Sequence, residues 1–84
     1  EYMKSQANVW GIKITTDGQV SKDTTYDVTL YMVNGGTKVN LNTYTVTVEA
    51  GKNWGFVKLD GLTEGQQYQL VCGDKAPLFT PDYK

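Results

Sequence analysis

The chain has 84 residues, a net charge of −1 from eight basic and nine acidic side chains, one cysteine and no histidine. That length supports one domain, spanning 1–84, with one modest core. The interspersed charges argue against a nucleic-acid face, no apolar stretch approaches the ~20 residues of a membrane helix, and a lone cysteine excludes an internal disulfide.

Residues 1–7 read as a linker or an extended N-terminal segment, and "EYMKSQANVW" lacks the apolar centre of a secretory signal. The first clear strand is "NVWGIKIT", where Asn8, Trp10, Ile12 and Ile14 share one face and Val9 and Lys13 the other. "TTDGQVSKDT", residues 15–24, is polar and turn-rich and predicts a loop. "TYDVTLYMV" should turn Tyr26, Val28, Leu30 and Met32 inward and Asp27, Thr29 and Tyr31 outward. "NGG" at 34–36 is a hairpin turn, leading to a short strand over Lys38 to Leu41. "TYTVTVEA" alternates Tyr44, Val46 and Val48 against Thr43, Thr45, Thr47 and Glu49. After the turn "AGKN" comes "WGFVKL", in which Trp54 and Phe56 are in phase and read as core. "QYQLVCG" places Tyr68, Leu70 and Cys72 on one face, and "APLFTPDY" is an edge segment because Pro77 and Pro81 cannot donate in a sheet centre. No ten-residue window carries a helical apolar period. Six or seven short strands predict an all-β, antiparallel Ig-like or prealbumin-like β-sandwich, with a fibronectin-III-like strand order as the rival.

The sequence offers no catalytic, cofactor or metal constellation. Without histidine, Ser/His and Cys/His pairings are excluded. Cys72 would need an activating neighbour; Lys75 lies beyond Gly73 and Asp74 in a turn, and a buried, inert thiol is the expectation. Asp17, Asp23, Asp60, Glu64 and Asp74 fall in loops without the spacing of a calcium loop. Tyr31, on the polar face with Thr29, is the candidate ligand contact.

Four segments, in order, resemble the Cna B-type domain, a prealbumin-like sandwich of Gram-positive surface proteins and pilins. They are "NVW" (8–10), "DVTLYMVNGGTKV" (27–39), "AGKNW" (50–54) with "LDGL" (59–62), and "LTEGQQYQLVCGDKAP" (62–77). The stretches from Trp54 to Leu62 and from Cys72 to Ala76 are each one residue longer than the family pattern, which suggests bulges. Members of that family often carry an isopeptide bond between a first-strand lysine and a last-strand Asn or Asp, assisted by a buried acid. The resemblance puts the lysine at Asn8 and the acid at Cys72, and no asparagine follows Asn53 as last-strand partner, although Asp82 remains. The expectation is therefore no isopeptide bond, with Cys72 as an apolar filler. Lys13 could replace the missing lysine only if a bulge near Gly11 reversed its face.

The resemblance implies an extracellular, secreted or cell-wall-attached module with no enzymatic activity and no cofactor. Its first reading is a structural or spacer domain whose partners are neighbouring domains of the same polypeptide, or a host or cell-wall protein or glycan. The alternative is a carbohydrate- or protein-binding accessory module of a polysaccharide-degrading protein. A coplanar exposed row among Trp10, Tyr31, Tyr44, Trp54, Tyr68 and Tyr83 would favour the alternative.

Overall fold

A computed structural model describes residues 2–4 and 9–82, with side chains from Gly11 onward except that of Ile12. Seven strands follow in chain order: β1 (Tyr2–Lys4), β2 (Val9–Thr15), β3 (Thr24–Asn34), β4 (Thr37–Val48), β5 (Trp54–Asp60), β6 (Gln67–Val71) and β7 (Leu78–Phe79). They form two antiparallel sheets, ordered β1-β2-β5 and β4-β3-β6-β7. This is the expected all-β sandwich, and among the described residues there is no helix. The first strand lies within residues 1–7, which sequence alone reads as a linker or an extended N-terminal segment.

The core is built by alternation. Val28 and Leu30 of β3, Val46 and Val48 of β4, Val57 and Leu59 of β5, Tyr68 and Leu70 of β6 and Phe79 of β7 are all buried. Ile14, Met32, Tyr44 and Cys72 pack against this cluster half-buried. Tyr68 keeps its hydroxyl satisfied by accepting a 2.8 Å hydrogen bond from the Thr63 amide, and its ring stacks with Phe79 at 5.7 Å. On the outer face of the larger sheet, Thr45 donates to Asp27, and the hydroxyls of Thr29 and Thr43 lie 3.1 Å apart. These polar cross-strand pairs explain why Asp27 and Thr29 face outward.

Three expectations need correction. Lys38 to Leu41 and "TYTVTVEA" are one strand, because a two-residue loop at Gly35–Gly36 pairs Asn34 with Thr37 and the ladder runs on through Val48. The register shift lies in that ladder: Leu30 pairs with Asn42 and Tyr31 with Asn40, so Leu41 is the extra residue. The two longer segments carry no such shift. β2 and β5 pair without interruption from Val9–Asp60 to Thr15–Trp54, and the Cys72-to-Ala76 stretch instead contains a two-residue hairpin loop, Gly73–Asp74. Gly73 adopts φ 60°, a backbone that its missing Cβ permits.

The third correction concerns β5. Trp54 and Phe56 face solvent at 41% and 45% exposure, while Gly55, Val57 and Leu59 face the core. The cause is steric. The two sheets come closest where β5 lies on β4. At that contact a Cβ on residue 55 would sit 2.8 Å from the Thr47 carbonyl oxygen and 2.9 Å from Val46 Cγ1. Only glycine fits there, so residue 55 points inward and its neighbours must point outward.

Candidate functional site

The inverted strand creates an aromatic strip on the outer face of the smaller sheet. Antiparallel pairing sets Thr15 opposite Trp54 and Lys13 opposite Phe56, so all four side chains share that face. The Lys13 ammonium lies 5.8 Å from the centre of the Trp54 ring, and the Lys52 ammonium lies 5.2 Å from it. Both separations fall within the range of cation–π attraction. Lys58 continues the face, with Asp60 3.9 Å away.

Lys52 is held there by the loop after β2. The Val20 amide donates to the Lys52 carbonyl, and the Gly51 amide donates to the Val20 carbonyl. The Thr16 amide donates to the Asn53 carbonyl, and Asp23 accepts a 2.9 Å hydrogen bond from the Ala50 amide. Residues 16–23, polar in sequence, are therefore tied down at several points beside the turn that presents Lys52. Glu49 is 3.5 Å from Lys52, an exposed pair that contributes little. The strip thus offers two flat apolar rings flanked by ammonium groups.

Lys13 lies on the outer face and β2 is unbroken at Gly11, so Lys13 does not turn inward to replace the missing lysine. Asn8, Tyr83 and the Trp10 side chain lie outside the described residues. Tyr31 is half-buried rather than exposed, opposite Gln69 and Asn40 on the outer face of the larger sheet. Gln69 is itself buried there. Its Nε2 donates to the Ala76 carbonyl at 3.0 Å, while its Oε1 has no partner among the described residues. Tyr44 is half-buried and Tyr68 buried, so they make no exposed row with Trp54. Phe56 is the aromatic that accompanies Trp54. Its signal in the sequence is Lys58, which shares the phase of Trp54 and Phe56 and opposes that of Val57 and Leu59.

Cys72 is not shut in the core. It is half-buried and lines a cleft of about 790 Å³ between β2 and the larger sheet, with Ile14, Tyr26, Val28, Leu70 and Pro77. The hairpin brings Lys75 directly opposite Cys72. The Cys72 amide donates to the Lys75 carbonyl at 2.8 Å, and the Lys75 amide returns a bond of 3.0 Å. Among the described residues, no three acidic or cysteine side chains converge as metal ligands. Asp23 is spent on the Ala50 amide, and Asp60 lies near Lys58.

Comparison with protein-family models, with curated proteins and with solved structures finds no match.

Proposed function

We propose that the chain is a non-catalytic interaction module of a larger bacterial cell-surface or secreted protein, and that it holds a glycan chain on the Trp54–Phe56 face. One observation carries this reading: two large aromatic rings are presented to water side by side on a regular strand, at 41% and 45% exposure, with lysines at their flanks. Exposed apolar area of this kind marks contact surfaces. A pyranose ring stacks its C–H face on such rings, and ammonium groups beside them favour acidic sugars. The Cna B-type resemblance supports the extracellular setting. Its hairpin motif falls on β3 and β4, its tryptophan motif on β5, and its last motif on β6 and the following turn.

A glycan array carrying neutral and uronate-bearing oligosaccharides tests the reading. Binding that is lost in both Trp54→Ala and Phe56→Ala, and weakened by salt for the acidic members, is expected. Absence of binding, or binding indifferent to both substitutions, overturns it. A spacer role is the second reading, favoured by the elongated form, 40 × 27 × 18 Å. Intact mass should equal that of the unmodified chain. A deficit of one ammonia or one water would reveal a cross-link through Asn or Asp.

A further inference from the structure

We infer that the Trp54–Phe56 face discriminates charge along its length, and that its ligand is a glycan in which one acidic sugar is followed by neutral ones. The acidic unit sits on Trp54, a neutral unit sits on Phe56, and the chain continues toward Lys58 and Asp60. This inference rests on the glycan reading and adds to it a polarity that a uniformly basic strip would lack.

The two ends of the strip differ in charge. At one end, Lys13 and Lys52 bring their ammonium groups to the same ring, 5.8 Å and 5.2 Å from the centre of Trp54. They arrive from separate elements. Lys13 stands on β2 opposite Phe56, so its long stem crosses diagonally to reach Trp54. Lys52 comes from the turn that is hydrogen-bonded to Val20. Two like charges drawn to one ring repel each other, and an anion that meets both relieves the repulsion. Glu49, 3.5 Å from Lys52, offsets one of the two and leaves an excess of one positive charge. At the other end, Lys58 and Asp60 lie 3.9 Å apart and offset each other. Asp60 shares the phase of Trp54 and Phe56 and stands about 20 Å from Trp54 at the rise of an extended strand. A carboxylate arriving there meets Asp60 as well as Lys58. Between the two ends, the Phe56 ring suits a neutral pyranose face, which covers it without stripping water from a charge. A second acidic sugar therefore adds nothing, and the chain's net charge of −1 supplies no general attraction for a polyanion.

Titration of the full chain at low salt with three tetrasaccharides tests this: one all neutral, one neutral with a single terminal uronate, and one all uronate. The singly acidic ligand should bind roughly three- to tenfold tighter than the neutral one, as two exposed charge contacts allow, and at least as tightly as the all-uronate one. Lys13→Gln combined with Lys52→Gln should bring the singly acidic and neutral ligands to equal affinity. Lys52→Gln alone, at an exposed turn position, should narrow the gap, so the result does not depend on the double variant. Asp60→Asn should lift the all-uronate ligand above the singly acidic one. The polarity is overturned if the parent chain binds the all-uronate ligand several-fold tighter than the singly acidic one, if the singly acidic ligand gains nothing over the neutral one, or if Asp60→Asn leaves the order of the ligands unchanged. Failure of the glycan reading itself looks different: none of the three ligands binds, or Trp54→Ala leaves all three affinities as they were, and the polarity falls with it.

Discussion

β5 and β6 depart from simple alternation in opposite directions. β5, at the edge of the smaller sheet, alternates perfectly in burial, yet it gives its two largest side chains to water and a glycine to the core. β6, between β3 and β7, buries three consecutive residues, including the amide of Gln69. The difference teaches that alternation fixes which residues share a face, but not which face is covered. At β5 the choice is made by one close approach, Gly55 against Thr47 and Val46. At β6 one outward residue, Gln69, is also enclosed where it lies opposite Tyr31 and Leu78, with only half of its amide satisfied.

Substitutions on β5 break the comparison most directly. Leu59 is fully buried, and Leu59→Ala should cost about 2–5 kcal/mol in urea unfolding. Phe56→Ala should cost only about 1 kcal/mol, since roughly half of that side chain is already in water. If the two costs were reversed, the phase of β5 would be wrong.

Gly55→Ala comes next. The new methyl meets backbone on β4, which cannot rotate away, so a loss of about 1–3 kcal/mol is expected in the same assay. A neutral result would mean that the sheets are farther apart there. Asp23→Ala removes the acceptor for the Ala50 amide, for a loss of about 0.5–1.5 kcal/mol. If the loop positions Lys52, hydrogen exchange at the Val20 and Gly51 amides should quicken in that variant.

On β6 the sign should change. Gln69→Leu removes a buried acceptor without a partner together with one hydrogen bond to Ala76. Thermal unfolding should show stability unchanged or raised by about 1 kcal/mol. A large loss would show that the Gln69 carbonyl has a partner, such as a bound water, that holds the two strands together.

Much of the architecture is legible from residue order. The runs from Tyr26 to Met32 and from Tyr44 to Val48 predict their inner faces correctly, because every opposing position but Tyr31 carries polar Thr or Asp and β-branched residues suit a half-covered sheet. The Asn-Gly-Gly turn and the proline-bounded edge strand β7 follow from local backbone chemistry. The candidate site is not legible in that way. In "WGFVKLD" both phases carry apolar residues, and aromatic bulk favours the wrong one. Cys72 reads as buried because its phase is apolar, yet it lines a cleft between β2 and the larger sheet, segments distant in the chain.

The amino-acid order by itself determined that this chain is extended nearly throughout, where it turns, and which side chains travel together on one side of each strand. These follow from bonding and sterics between near neighbours. Only the tertiary structure decided which side of β5 meets the other sheet, that Trp54 and Phe56 are left to solvent beside two lysines, and that Cys72 lines an open cleft. Those outcomes depend on the distance between two packed sheets and on which segments meet across them, quantities to which no local run of residues is sensitive.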